Sequence, residues 1–186
     1  MNQQDPLKHT LFEDYDTVIF DADGVLWDVF TKEGTHTGAY ATTAPYSLEA
    51  SNYVKDIDGN HIRLQNGIKQ LLKLLDEHDV NMGIVSSGEK DDTPFSAQPT
   101  VMLLKKFDIF KYFNYDIILK RQCNKSRYVK PLGKTLFIDD ERDNIEEVAQ
   151  NDEVDVLRRN VFQDWDQLLI QKQSQLNLGL SCLGKR

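Results

Sequence analysis

The chain has 186 residues, and its 22 Lys and Arg against 30 Asp and Glu give a formal net charge of −8. This length predicts a single domain over residues 1–186, with one core. Hydrophobic residues make up 40% of the chain and charged residues 28%, which excludes both a wholly disordered chain and a membrane-embedded one. The acidic excess argues against nucleic acid as a partner, because such a surface needs Lys and Arg to displace counterions. An anionic substrate is not excluded, since a bound cation can reverse the sign of one pocket.

The two cysteines, Cys123 and Cys182, are far apart in the sequence and form no C-x-x-C motif. This indicates two free thiols rather than a zinc site or a disulfide. The amino-terminal residues carry no basic region followed by an apolar run, so we expect no signal peptide. No stretch approaches the roughly 20 apolar residues of a membrane span. We therefore expect a cytoplasmic protein with no membrane partner.

Five short apolar runs alternate with helical patterns along the chain. The runs are residues 16–20, 81–85, 115–119, 135–138 and 154–157. Helical spacing of apolar residues begins at Leu64, spans 96–110 and 143–150, and returns in a last helix with Trp165, Leu168 and Leu169. Because the runs are uniformly apolar rather than alternating, they suit strands that are covered on both faces. The pattern predicts an α/β fold with a doubly wound, Rossmann-like parallel sheet.

Residues 28–64 interrupt this alternation of strands and helices. Two strand-like segments, 52–55 and 61–64, flank the turn-rich stretch 56–60, which predicts a β-hairpin. We interpret 28–64 as a small flap beside the sheet, and we expect no large cap domain. Residues 171–186 are expected to form a flexible tail.

Polar clusters follow three of the five predicted strands. They are Asp21-Ala22-Asp23-Gly24, Ser86-Ser87-Gly88 and Asp139-Asp140-Glu141. Each cluster alone is typical of a turn or a helix cap, but three at converging strand ends favour a ligand site, because such sheets bind ligands there. Four carboxylates in one crevice need a divalent cation or protons, and an all-oxygen donor set favours Mg²⁺. The sequence therefore predicts metal-assisted phosphoryl transfer, in which a carboxylate can act as the nucleophile.

These clusters also carry a family resemblance. Residues 18–25, an apolar run followed by Asp-Ala-Asp-Gly-Val, resemble the first motif of the haloacid dehalogenase (HAD) superfamily. Residues 83–88 are similar to its second motif, and residues 136–141 are similar to its fourth. The order and spacing match over about 21–148. Within the superfamily, residues 137–145 and the Leu-Trp pair after the first motif resemble the magnesium-dependent phosphatase-1 group.

The resemblance implies a role for each acid of the first and third clusters. Asp21 would be the nucleophile that accepts the phosphoryl group, and Asp23 would be the general acid and then the general base. The Asp21 carboxylate, the Asp23 main-chain carbonyl and Asp140 would bind Mg²⁺, and Asp139 would support the metal directly or through another ligand. Residues two apart in extended backbone project to the same side, so Asp21 and Asp23 can address one phosphorus atom.

The resemblance also implies phosphate ligands and a lysine. Ser86 would hydrogen-bond a phosphate oxygen, with the Ser87 N–H as a second donor. The third motif of the superfamily contributes a lysine that bridges the nucleophile and the phosphate. Lys125 is the first candidate for this catalytic and substrate-binding lysine, because it opens a segment able to start a short helix before the acidic pair. Lys120 is the second candidate.

Together these observations lead us to expect a Mg²⁺-dependent phosphomonoester hydrolase that works through an aspartyl-phosphate. Its expected substrate is a phosphorylated small molecule or a phosphoprotein, since a site with a small flap is open. A phosphomutase or a phosphotransferase on the same fold is the alternative enzyme. A non-catalytic HAD-like binding module, which would use the flap to hold a partner protein, is a rival of another class.

Overall fold

The computed structural model describes residues 12, 14–37, 42–87, 93–120, 124–159 and 165. In chain order its strands and α-helices are β1 (Thr17–Phe20), β2 (Trp27–Phe30), β3 (Ser47–Ala50), β4 (Tyr53–Lys55), β5 (His61–Leu64), α1 (Ile68–Glu77), β6 (Asn81–Ser87), α2 (Pro99–Lys106), β7 (Ile117–Lys120), β8 (Thr135–Asp139), α3 (Arg142–Val148) and β9 (Val154–Arg158). The five predicted apolar runs are the strands β1, β6, β7, β8 and β9.

These five strands form one parallel sheet in the order β7-β6-β1-β8-β9. The central strands β1 and β8 are buried along their whole length, whereas β7 and most of β9 are partly exposed because they lie at the edges. This burial explains why the central runs are uniformly apolar. The predicted α/β fold with a doubly wound parallel sheet is confirmed.

The strand order places a ligand crevice beside β1. From β1 the chain builds outward through β6 and β7 on one side, and then returns to add β8 and β9 on the other side. The register pairs Phe20 with Ile84 of β6 and with Ile138 of β8, so the segments that follow these strands emerge at one edge. Ligands bind at such a reversal of strand order, beyond the carboxyl ends of the strands.

The helices agree with the predicted patterns but are shorter. The pattern that begins at Leu64 becomes helical only at Ile68, because Leu64 ends β5 and Gly67 turns the chain with a φ of 79°. The pattern over 96–110 contains a short 3-10 turn at Phe95–Ala97 before α2, which starts with Pro99 in its first turn. The pattern over 143–150 is helical over Arg142–Val148.

The flap is a four-stranded antiparallel sheet in the order β2-β5-β4-β3. The predicted hairpin is present as β4 and β5, with Val54 opposite Ile62. The prediction was incomplete, however, since β2 and β3 extend the hairpin on both sides. One face of this sheet is buried at Val29, Val54 and Ile62. On the other face the Arg63 guanidinium lies 5.1 Å from the centre of the Phe30 ring. Among the described residues there is no large cap domain.

Phe12 and Trp165, the first and last described residues, pack against each other, and Trp165 also packs against Phe20 of β1. The rings of Phe12 and Trp165 lie 6.2 Å apart, and the rings of Trp165 and Phe20 lie 6.4 Å apart. All three side chains are buried. Both cysteines, the other residues of the predicted last helix and the predicted tail 171–186 lie outside the described residues. Of the helices in the described ranges, none is both long and apolar enough to cross a membrane.

Candidate active site

The loop after β1 brings the predicted nucleophile to the carboxyl edge of the sheet. Asp21 is buried, and its N–H donates to the Ile138 carbonyl oxygen over 2.8 Å, which continues the pairing between β1 and β8. Three residues later Gly24 turns the chain away with a φ of 73°. A Cβ at this position would lie 2.5 Å from the Asp140 Cγ. Glycine is therefore required here both by the left-handed backbone and by the approach of Asp140.

Lys125 joins the two acidic loops. A 3-10 turn at Lys125–Arg127 presents this side chain, which is 4% exposed. Its Nζ lies 2.9 Å from Asp21 Oδ1 and donates to Asp139 Oδ2 over 2.8 Å. Burial lowers the pKa of the Lys125 ammonium, but the carboxylates of Asp21 and Asp139 outweigh burial and raise it above its usual range. The other candidate, Lys120, is half-buried at the end of β7, in register with Ser87.

Asp139 is held by the protein on both of its carboxylate oxygens. Oδ1 accepts the Glu141 N–H over 2.8 Å, and Oδ2 accepts Asn144 Nδ2 over 3.1 Å in addition to Lys125. The side chain is fully buried. This arrangement orients Lys125 and suits a supporting role better than a direct metal ligand. The sequence prediction missed Asn144, whose only signal is its place in the first turn of the helix after the acidic pair.

Asp23 has the environment of a proton donor. Burial and the neighbouring Asp21 charge raise its pKa to about 7, although a hydrogen bond of 2.7 Å from Trp27 Nε1 to Asp23 Oδ1 lowers it. A carboxyl group with this pKa can give and take a proton near neutral pH. Trp27 is a core residue, because it is buried and its ring lies 6.0 Å from that of Phe107.

Asp21, Asp139 and Asp140 form a candidate metal centre. Each offers one carboxylate oxygen, and these oxygens all lie within 4.8 Å of one another. Burial and the charges of Asp21 and Asp139 raise the pKa of Asp140 to about 7. Such repulsion among carboxylates is relieved by a divalent cation, and a donor set of oxygens fits a hard cation. The residues present therefore fit a metal ion.

The second cluster lies at the end of β6, next to β1. The Ser86 side chain is buried and hydrogen-bonds the Asp21 carboxylate, which lowers the pKa of Asp21. Burial acts in the opposite direction and dominates, so the pKa of Asp21 is raised overall. Ser87 is exposed at the last position of the strand. Of the predicted phosphate ligands, Ser86 thus contacts the predicted nucleophile, and Ser87 lies one residue further along the edge.

Comparison with known families agrees with this geometry. A model of the acid phosphatase family matches residues 15–160, a range that contains every residue of the candidate site. No match was found among curated proteins. The matched family is HAD-like, which agrees with the resemblance of the motifs, and the narrower magnesium-dependent phosphatase-1 group stays a prediction. The chain therefore belongs to the acid phosphatase family, and it is a phosphatase, a hydrolase of phosphoric monoesters.

Proposed function

We propose that the chain is a Mg²⁺-dependent phosphomonoester hydrolase that forms an aspartyl-phosphate on Asp21. The observation that carries the proposal is the contact of the buried Asp21 carboxylate with Lys125, beside a second carboxyl group, Asp23, whose pKa is raised to about 7. A nucleophile oriented by a cation, next to a carboxyl group that can exchange a proton near pH 7, is what two-step phosphoryl transfer requires.

In the first step Asp21 attacks the phosphorus atom of the ester. An Asp21 oxygen forms the new P–O bond while the bond from phosphorus to the leaving oxygen breaks. Asp23, protonated at this stage, donates its proton to the leaving oxygen, so that a neutral alcohol departs. Ser86 and Lys125 would bind the phosphoryl oxygens, a role supported by their contacts with Asp21.

In the second step water hydrolyses the aspartyl-phosphate. Asp23 is now a carboxylate and accepts a proton from the attacking water. The water oxygen bonds to phosphorus, the P–O bond to Asp21 breaks, and inorganic phosphate leaves. Asp21 is restored as a carboxylate and Asp23 as an acid, so both residues are ready for another turnover.

Asp21 and Asp140, with the Asp23 main-chain carbonyl as a third oxygen, would hold Mg²⁺. When bound, the ion supplies positive charge that stabilises the phosphoryl oxygens. Asp139 would act by fixing Lys125, because both of its oxygens already accept hydrogen bonds from the protein.

The proposed substrate is a phosphorylated small molecule or a phosphoprotein, and the proposed location is the cytoplasm. The four-stranded flap is small, which supports an open site. The net charge of −8 disfavours nucleic acid.

The test is hydrolysis of p-nitrophenyl phosphate by the purified full chain. We expect release of inorganic phosphate with Mg²⁺, its loss with EDTA, and a fall of about 10³-fold or more for Asp21→Asn. Asp152→Asn is the matched control, since Asp152 is exposed and outside the site, and it should keep full activity. A phosphoprotein that is labile to hydroxylamine should be trapped by rapid denaturation of the wild type. Full activity of Asp21→Asn, or release of p-nitrophenol without an equal amount of inorganic phosphate, would contradict the proposal.

A further inference from the structure

Arg159 is a buried cation that contacts both the nucleophile loop, residues 21–26 after β1, and the acidic loop, residues 139–141 at the end of β8. It directly follows β9 and is 1% exposed. Its main-chain N–H donates to the Asp139 carbonyl oxygen over 2.8 Å. Its guanidinium donates to the Gly24 carbonyl oxygen and, over 2.6 Å, to Gln65 Oε1. One residue thus binds the main chain of the nucleophile loop and the main chain of the acidic loop.

We propose that Arg159 and Trp165 form a latch that positions the nucleophile loop relative to the acidic loop. Trp165 supplies the other half of this latch. Its ring lies 5.6 Å from the Arg159 guanidinium carbon, and its Nε1 donates to the Val25 carbonyl oxygen over 3.1 Å. Two consecutive carbonyls of the nucleophile loop, those of Gly24 and Val25, are therefore held by the latch.

The position of these carbonyls matters because the loop is in close contact with the acidic pair. Gly24 approaches Asp140 so closely that a Cβ would overlap the carboxylate. A displacement of the loop would therefore change the distance between Asp140 and Asp21, whose oxygens now lie within 4.8 Å of each other. Phosphoryl transfer depends on such distances, since a misplacement of about 1 Å can cost about 10²-fold in rate.

The contacts require arginine rather than any cation. The planar guanidinium offers donors in fixed directions and can serve two acceptors while it stacks on an aromatic ring. A lysine ammonium is a point donor on a flexible stem, so it cannot keep the carbonyl of Gly24, the amide of Gln65 and the ring of Trp165 together. The charge alone is therefore not enough for the latch.

The latch also ties the site to a part of the chain beyond the family match. That match ends at residue 160, whereas Trp165 lies after it. Trp165 is helical and buried, and its main-chain N–H donates to the Asn66 carbonyl oxygen over 3.2 Å. Asn66 follows Gln65, the side-chain acceptor of Arg159, just after the last flap strand. Trp165 thus contributes to the geometry of the site through the main chain of the nucleophile loop.

The test rests on the proposed function for its kinetics and uses Arg159→Lys and Trp165→Phe in the full chain. For Arg159→Lys we expect kcat to fall by about 10²-fold, with KM within about threefold of the wild type, because a positioning residue affects the transition state more than substrate binding. Trp165→Phe keeps an aromatic ring, although a smaller one, and loses the indole hydrogen bond to Val25, so its kcat should fall about tenfold. Guanidinium chloride at low concentration should restore part of the activity of Arg159→Ala.

Two controls separate positioning from general destabilisation. Arg142→Lys changes an arginine whose exposed side chain pairs with Glu146, and it should leave kcat unchanged. Leu75→Ala removes a buried side chain near the far end of α1, so it should lower the melting temperature and keep kcat. The latch is overturned if the kcat of Arg159→Lys stays within threefold of the wild-type value. It is also overturned if Leu75→Ala and Arg159→Lys have equal melting temperatures and lose kcat by the same factor.

A readout without turnover tests the latch even if the proposed function fails. The amide of Leu26 donates to the Ala22 carbonyl oxygen within the nucleophile loop. In protein treated with EDTA, Arg159→Lys should accelerate hydrogen exchange at residues 24–26 at least tenfold more than Leu75→Ala does. Mg²⁺ affinity by calorimetry should fall about tenfold in Arg159→Lys. Unchanged exchange and affinity would overturn the latch, whereas an inactive wild type would overturn only the proposed function.

Discussion

The acidic pair after β1, Asp21 and Asp23, and the acidic pair at the end of β8, Asp139 and Asp140, share one feature and differ in another. In each pair one member contacts Lys125, namely Asp21 in the first and Asp139 in the second. The other member, Asp23 or Asp140, has its pKa raised to about 7. The pairs differ in the lysine-bound member. Protein groups that include the Glu141 N–H and Asn144 donate to both oxygens of Asp139, whereas Asp21 contacts Lys125 and Ser86, the groups proposed to bind the phosphoryl oxygens.

This difference suggests that the two pairs have separate tasks. In the first pair both acids take part in the proposed chemistry, one as nucleophile and one as proton donor. In the second pair one acid fixes the lysine and the other is left for a cation. Under the proposed mechanism, four residues of the same type would take four roles because burial, neighbouring charge and hydrogen bonding differ among them.

Asp23→Asn is expected to have the largest effect and tests the chemical task of the first pair. General acid catalysis contributes about 10²–10⁴-fold, and its loss matters most when the leaving group is a poor one. The fall in kcat/KM should therefore be greater for an alkyl phosphate than for p-nitrophenyl phosphate. Equal losses for the two substrates would show that Asp23 does not protonate the leaving oxygen.

Lys125→Met tests whether one cation supports both pairs. The change leaves Asp21 and Asp139 buried without their cation, which should destabilise the fold by about 3–5 kcal/mol near pH 8. The loss should be smaller near pH 5, because Asp21, whose pKa is raised by burial, can take up a proton. Denaturant unfolding measures both values. Lys73→Met is the matched control, with an exposed lysine and an expected change within about 0.5 kcal/mol.

Asp23 and Asp140 should make the stability of the metal-free protein depend on pH. The folded-state pKa values of Asp23 and Asp140 are raised from 3.8 to about 7. Their contribution to stability is therefore complete below about pH 4 and is lost as the pH rises through 7. In EDTA the melting temperature should fall from pH 5 to pH 8, and Mg²⁺ should restore it most at pH 8.

Asp140→Asn refines this pH test. It removes one of the two raised carboxyl groups and should stabilise the metal-free protein at pH 8 by about 1 kcal/mol after allowance for solvent screening. It should also abolish most of the stabilisation by Mg²⁺. A variant that is less stable than the wild type in EDTA, yet still responds to Mg²⁺, would contradict the assignment of Asp140 to the metal.

Trp27→Phe is expected to have the smallest effect. It keeps an aromatic ring against Phe107 and removes the indole hydrogen bond to Asp23. That bond lowers the pKa of the Asp23 carboxyl group, so its removal should raise the pKa. The alkaline limb of the kcat/KM profile should therefore move up by about half a pK unit. Trp165→Phe is the control, because the Trp165 indole donates to the main-chain carbonyl of Val25 and not to Asp23. The alkaline limb of its kcat/KM profile should therefore stay at the wild-type pH.

The sequence predicted the parallel sheet well because each central strand is buried on both faces. That burial requires a continuous apolar run, which is visible without any knowledge of its partners. The acidic clusters could be recognised in the sequence for a related reason, since acids that directly follow a buried apolar run are unusual. The flap was predicted only in part. The turn at 56–60 marked β4 and β5, but β2 and β3 are four-residue strands whose pairing depends on the rest of the flap.

Contacts that depend on the three-dimensional arrangement of the chain, and not on a local sequence pattern, were the least predictable. Arg159 binds the carbonyl of a residue 135 positions earlier, and a carbonyl acceptor leaves no trace in the side-chain pattern. Asn144 binds an acid only five positions away, yet the geometry depends on how α3 starts. For Lys125 and Lys120 the spacing allowed either residue, and the 3-10 turn at Lys125 is what carries that side chain to Asp21.

The parallel arrangement of β1, β6 and β8 has a consequence for folding. The four acids and Ser86 come from the ends of three strands that are widely separated in sequence, and parallel pairing closes long loops before any contact is gained. A chain that has collapsed, or has formed only local helices, contains none of the site. A cation that binds the assembled carboxylates stabilises the native state alone, by mass action. During refolding, recovered activity therefore reports the completed sheet rather than the compaction of the chain.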